Sequence, residues 1–350
     1  MRDRVTAFGP GRVNLIGEHT DYNDGLALPF AISQGVTVRA RRGSLGRVDA
    51  IASDLKAHDS FPLASIAPIR GWRAFVRGAA AELQAAGCGL TATKLEITGT
   101  VPRGSGLSSS AALEVAICLA LLSVSGAPVP EKIALARICS KVENDWVGAQ
   151  TGLLDQLASL FGERDRALRI DFRSLEVTPV MLDLGEYRLV TLDSGERHAN
   201  AGPDDDDGAA GYNQRRAECA RAAELLGVTS LREATLETAA ALPAPLAARA
   251  RHVITENQRV EETVAALRDG DLEQVGALLD ASHASLRDDF QISTPAVEAT
   301  VQRLRDAGAV GARIIGGGFG GYVLGLLPPG AQPPPGAMGV QPGPGARLLD

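Results

Sequence analysis

Residues 111–124 read Ala-Ala-Leu-Glu-Val-Ala-Ile-Cys-Leu-Ala-Leu-Leu-Ser-Val, apolar almost throughout and carrying one carboxylate, Glu114. A helix of this composition has no solvent face, and it is too short to cross a bilayer. It must be a buried core helix, so the rest of the chain has to wrap it. The approach to it is equally constrained. Residues 93–100 alternate apolar and polar side chains as a half-buried strand does, then pass through Val101-Pro102 into a turn of small residues, Gly104-Ser105-Gly106-Leu107-Ser108-Ser109-Ser110. Backbone N–H groups and the helix dipole then point at whatever sits at the helix start, and phosphate is the ligand that suits such a place.

A chain of 350 residues is long enough for two domains that share an interface. Hydrophobic residues make up 45% and charged residues 22%, a globular balance. The net charge is -7 and no basic run exceeds residues 39–42, which excludes nucleic acid as a partner, because a duplex-binding surface must be basic to release counterions. Cys88, Cys118, Cys139 and Cys219 lie far apart and form no Cys-x-x-Cys pair, so neither zinc nor disulfides are expected. The opening residues, Met-Arg-Asp-Arg-Val-Thr, carry charge where a signal peptide needs an apolar stretch, and there is no membrane span. A cytoplasmic protein with no membrane contact is the expectation.

Strand-like runs at 25–32, 36–41 and 48–51 and a helical stretch at 75–86 precede the strand at 93–100, giving a sheet with helical cover. Helices are predicted at 109–124 and 130–146, with a short third helix carrying Asp155. Strands at 168–172, 177–182 and 188–192 lead into a second, mostly helical unit, and the boundary is placed near residue 175. Apolar spacing predicts helices at 246–267, 272–286 and 297–304, the last ended by Gly308. A final strand is predicted at 322–327. The Pro/Gly-rich tail at 328–344 reads as irregular, with one edge strand near its end.

Chemistry concentrates in residues 11–25, Gly-Arg-Val-Asn-Leu-Ile-Gly-Glu-His-Thr-Asp-Tyr-Asn-Asp-Gly, read here as one short glycine-bounded loop. Charged residues are normally solvated and scattered, so an Arg, a His and several carboxylates between apolar stretches mark a substrate site. The alternative is an ordinary turn in which Arg12 and Glu18 form an internal salt bridge. His19 with Asp21 could instead ligate a metal, but no Cys or second His is spaced to complete a set. The turn at 104–110 lacks a Gly-Lys-Ser/Thr ending, which excludes a Walker P-loop, and the next element is a helix, not a strand bearing an acid for ribose, which removes the dinucleotide reading. Asp155 is an isolated carboxylate among apolar residues and needs a partner. The glycine run at 316–321 reads either as a close approach to phosphate or as a flexible turn, and the four carboxylates at 204–207 as a solvated loop.

Three segments in order, 11–22, 101–114 and 316–321, resemble the galactokinase signatures of the GHMP small-molecule kinases, and 143–145, 152–156 and 211–219 agree with them, so the resemblance spans nearly the whole chain. It implies an α+β, two-lobed GHMP kinase fold: a mixed-sheet N-terminal domain (1–175), a C-terminal domain of helices plus antiparallel sheet (176–350), and an active site between them. It also implies transfer of the ATP γ-phosphoryl to the C1 hydroxyl of α-D-galactose, in a monomer. By the same resemblance Asp155 and Arg12 are catalytic, and Glu18, His19, Thr20, Asp21, Gly152 and Tyr212 bind the sugar. Gly104, Ser105, Gly106, Leu107, Ser108, Ser109 and Ser110 bind ATP, while Ser110 and Glu143 hold Mg2+, a hard cation suited to oxygen ligands. Related kinases of N-acetylgalactosamine or arabinose, and a catalytically inactive galactose sensor, share this pattern. Phe75, Ser105 and Ile315 stand where the family tends to have Tyr, Ala and Thr, and the run at 204–207 looks like a small insertion ahead of Tyr212.

Overall fold

A computed structural model describes residues 3–101, 106–196 and 206–349. The chain opens with β1 (Arg4–Asn14), β2 (Leu26–Ala27), β3 (Pro29–Arg42), β4 (Arg47–Ala52) and β5 (Ala57–Pro62). After α1 (Trp72–Ala85) and β6 (Thr93–Gly99) come α2 (Ser109–Ser125), α3 (Lys132–Lys141), a π-helical segment (Val142–Val147) and α4 (Leu154–Phe161). Next are β7 (Arg166–Asp171), β8 (Glu176–Met181) and β9 (Arg188–Asp193), then α5 (Asp206–Leu226), α6 (Leu236–Ala240), α7 (Leu246–Asp269), α8 (Leu272–Asp288) and α9 (Pro295–Asp306). The chain closes with β10 (Gly311–Ile314), β11 (Tyr322–Leu327), β12 (Met338–Val340) and β13 (Arg347–Leu349).

The first sheet has the order β13-β1-β3-β6-β4-β5 and is mixed, because β4 pairs parallel with β6 while its other pairings are antiparallel. The nearly all-apolar stretch forms α2, and it packs across β1 and β3, burying Ala112, Val115, Ala116 and Leu119 with the sheet residues Val38 and Ala7 in one cluster. The second lobe carries the antiparallel sheet β10-β11-β9-β12 under α8 and α9. A third sheet, β2-β7-β8, touches β3 of the first sheet and α7, and the boundary expected near residue 175 falls where its β7–β8 turn enters β8. No helix among the described residues is long and apolar enough to cross a membrane.

Several expectations change. The polar cluster is not a single loop: Gly11, Arg12, Val13 and Asn14 end the long strand β1, opposite β3, so Arg12 is held by a sheet ladder. Residues 25–42 form the short β2 and one continuous β3, with no break where two strands were predicted. The helix expected at 130–146 stops at Lys141 and widens into the π-helical segment, whose first turn carries Glu143. The tail at 328–344 holds the one edge strand expected of it, β12, and beyond it an unpredicted β13 returns to the edge of the first sheet beside β1. Sequence reading passed over β5, β10, α5 and α6, and it missed β1 because polar residues interrupt its pattern.

Candidate active site

A cavity of about 140 Å³ opens where the two lobes meet. Its walls come from the end of β1 and the loop after it, the start of α2, residues 147–155, Tyr212 and Asn213 of α5, and the glycine turn 316–318. At its base, Arg12 Nε and Nη2 both lie 2.7 Å from Asp155 Oδ1. Among the described residues Asp155 Oδ2 has no hydrogen-bond partner, so one carboxylate oxygen is anchored and the other is available to a ligand. Arg12 Nη1 donates to the Gly106 carbonyl and the Arg12 backbone N–H to the Leu107 carbonyl (3.1 Å), which fixes residues 106 and 107 of the small-residue turn. The Arg12–Glu18 salt bridge considered from sequence is absent. Glu18 pairs instead with the fully buried Arg313 (3.2 Å) and accepts the Gly316 N–H (2.8 Å).

The turn after β1 bends sharply, with Gly17 at φ +97° and His19 at φ +60°. His19 Nε2 faces the Gly317 carbonyl at 3.2 Å, which can only accept, so the ring proton sits on Nε2 and Nδ1 accepts from the Tyr22 hydroxyl at 2.7 Å. Burial carries the His19 pKa down to about 3, which keeps the ring neutral, and it packs between Tyr212 and Phe290. Thr20 is fully buried behind the cavity wall, its hydroxyl directed at the Gly17 and Leu26 carbonyls. Asp21 faces Gly152 so closely that a Cβ there would lie 2.0 Å from Asp21 Oδ2, so any larger residue at 152 would displace the Asp21 carboxylate. Burial, with Asp155 nearby, raises the Asp21 carboxyl to about 6. Tyr212 stays a neutral phenol, its pKa raised first by burial and then by Asp21.

On the opposite wall Ser108 caps α2 in a left-handed conformation (φ +60°). Its Oγ is buried without a partner among the described residues, and Ser109 and Ser110 line the cavity beside it. Gly104 and Ser105, expected at phosphate, lie outside the described residues, as do Asp204 and Asp205; Asp206 and Asp207, expected in a loop, begin α5. Glu143 is buried and accepts from Thr151 Oγ1 and Gln156 Nε2, both at 2.9 Å. Burial, then Asp155, raises its carboxyl to about 7. Gln156 also donates to Glu114 (3.2 Å), a fully buried acid pushed well above its ordinary range by burial and by Glu143. Arg12 is bonded to Asp155 alone of these acids, while Glu143 and Glu114 are held through Gln156. Among the described residues no three His, Cys, Asp or Glu side chains form a metal cage. Glu143 and the Ser110 hydroxyl supply two hard oxygens on the cavity wall, and the local excess of negative charge fits a divalent cation that takes its remaining ligands from phosphate and water.

Thr151, Gln156, Asn213 and Arg313 join this site without having been assigned from sequence. Gln156 and Asn213 lay inside motifs already quoted; Arg313 had no local signal, being 301 positions removed from Arg12 by number and brought in only by β10.

Models for the N-terminal and C-terminal domains of GHMP kinases match residues 74–163 and 263–334, and the galactokinase galactose-binding signature matches residues 2–42. A galactokinase of Mycobacterium tuberculosis is 45% identical over 331 residues, covering 93% of this chain and 89% of its own. One from Roseiflexus is 42% identical over 343 residues, covering 93% and 84%. The crystal structure of Lactococcus lactis galactokinase complexed with galactose superposes with a TM-score of 0.89 at 31% identity, over 99% of this chain and 96% of that one. Fold and domain models together define the class, the GHMP kinases. Within that class the chain belongs to the galactokinase family.

The raised Asp21 pKa has a consequence for stability. An acid whose folded-state pKa of about 6 lies above its ordinary 3.8 contributes stability below pH 3.8 that is lost as pH rises through about 6. Asp21→Asn should therefore raise the thermal midpoint at pH 8, with the gain shrinking as pH falls below about 6 in scanning calorimetry. A pH-independent difference would remove the buried charge as its cause.

Proposed function

We propose that this chain transfers the ATP γ-phosphoryl to the C1 hydroxyl of α-D-galactose, giving galactose 1-phosphate and ADP. The observation that carries the reading is the Arg12–Asp155 pair, set between the sugar-loop side chains and the N-terminus of α2, with Asp155 Oδ2 uncommitted. Asp155 holds the attacking hydroxyl by its free oxygen. As the C1 oxygen bonds phosphorus and the bond to the β-phosphate oxygen breaks, the hydroxyl proton passes to that carboxylate. Arg12 keeps the carboxylate oriented and adds positive charge beside the transferring group, and positioning with charge neutralisation supplies most of the rate. Ser108, Ser109 and Ser110, with the first N–H groups of α2, cradle phosphate oxygens. The Gly104 and Ser105 backbone is assigned to the same cradle.

Glu18 and Asp21 accept sugar hydroxyls, Gly152, Tyr212 and the cavity-lining His19 ring border the sugar, and Thr20 supports the loop from behind. A magnesium ion held by Ser110 and Glu143 would neutralise phosphate charge when bound. The same reading takes the chain as a cytoplasmic monomer whose lobes divide at residues 175/176. An inactive sensor would have no need of an intact Arg12–Asp155 pair, and N-acetylgalactosamine and arabinose are the competing substrates.

Coupled ADP release with galactose, glucose, N-acetylgalactosamine and arabinose tests the substrate. The wrong C4 epimer leaves a buried acceptor unpaired, so galactose should exceed glucose at least about tenfold in kcat/KM. Equal values would sink the assignment. Asp155→Asn keeps the shape and removes the base: sugar and ATP should still bind by calorimetry while turnover drops by roughly 10² to 10⁴. Near-native kcat would make Asp155 a structural carboxylate. Glu143→Ala should shift the magnesium requirement upward while leaving galactose binding without nucleotide unchanged, and an unaltered magnesium titration would exclude that ligand.

A further inference from the structure

From sequence, α7 is legible only as a helix with apolar spacing, yet three of its side chains hold the backbone of the sugar loop. His252 Nε2 lies 3.1 Å from the Glu18 carbonyl, Glu256 Oε1 accepts the Gly17 N–H at 3.0 Å, and Asn257 Oδ1 accepts the Leu26 N–H at 2.7 Å. Positions 252, 256 and 257 share one face of the helix. A carbonyl can only accept, so the His252 proton is on Nε2, and Nδ1 accepts from the Ser285 hydroxyl on α8 at 2.9 Å. Burial lowers the His252 pKa to about 4, which keeps this tautomer neutral. Burial alone would raise the Glu256 carboxyl, but Arg259 at 2.7 Å carries it down to about 2, and Ser282 Oγ donates to it at 2.6 Å.

The Glu18 carbonyl belongs to the same peptide unit as the His19 N–H, and His19 sits at φ +60°, a conformation that costs a non-glycine residue free energy unless its surroundings enforce it. Rotation of that peptide would relax His19 and swing its ring from Tyr22 and Gly317, taking the Glu18 and Asp21 side chains with it. We propose that His252 is a positioning residue for sugar recognition: its bond to the Glu18 carbonyl locks the strained 18–19 peptide in the orientation that aims Glu18 and Asp21 into the cavity. This rests on the reading that the loop holds the sugar.

The test measures galactose affinity by calorimetry without nucleotide, and KM for both substrates. His252→Leu should weaken galactose binding and raise its KM roughly tenfold while KM for ATP stays within about twofold, and His252→Gln, which keeps an N–H near the Nε2 position, should recover most of the loss. Should the leucine variant not fold, Ser285→Ala, which frees the ring to turn, carries the same selective expectation. Equal rises in both KM values, or a glutamine variant no better than leucine, would overturn the role, since a loosened structure has no reason to spare ATP. Asp21→Ala separates the two ideas. Weak galactose binding in Asp21→Ala with normal binding in His252→Leu overturns the positioning role alone; normal binding in both overturns the sugar-loop reading with it.

Discussion

The ion pair between Arg12 and Asp155 is the junction through which the parts of the site are connected. One guanidinium binds Asp155 of α4, reaches the Gly106 carbonyl at the phosphate turn, and stands on β1, so strand, turn and helix converge on a single planar group. A lysine could not serve, because its ammonium lacks the fork that meets two acceptors in fixed directions. Arg12 is buried and Asp155 lies half-buried at the cavity, so removing the carboxylate would leave a buried guanidinium without its counter-charge. The pair is therefore structural and chemical at once. Around it, burial and mutual repulsion lift Asp21, Glu143 and Glu114 above the ordinary carboxylate range. A pocket so loaded with carboxyl groups is prepared for cations and hydroxyl donors.

A second set of bonds ties the lobes together around the cavity. Glu18 accepts from Gly316 and pairs with Arg313, and His19 donates to Gly317, so the loop that follows β1 and the turn that follows β10 are fastened to each other. Gly316 sits at φ +80°, and a Cβ there would come within 3.3 Å of the Gly106 carbonyl. The glycine turn thus touches the sugar loop on one side and the phosphate turn on the other. That contiguity gives the cavity one continuous wall.

The local elements were largely legible, because each rests on short-range pattern. The apolar run of α2, the alternation of β6 and the helical spacing of α7, α8 and α9 are periodicities that any window of sequence displays. The breaks at 10–14 and 141–147 were not. Arg12 interrupts the apolar pattern of β1 where it meets Asp155, and the π-helical widening after Lys141 carries the buried Glu143 where a regular helix was expected. Both departures occur where function overrides propensity.

The sequence by itself determined the inventory: a buried helix behind a small-residue turn, a charged cluster ahead of it, one carboxylate stranded among apolar residues, and a glycine run far downstream. Those features are local in the chain, and chemistry demands them residue by residue. Only the tertiary structure decided who meets whom. Arg12 pairs with Asp155 and not with Glu18, because β1 holds its side chain toward α4 while the bend at Gly17 and His19 turns Glu18 to Arg313. The burial that neutralises His19 and raises Asp21, and the α7 side chains that grip the loop, arise from packing between elements more than two hundred residues apart. No local pattern records such contacts, since their free energy appears only when the two lobes close on one another.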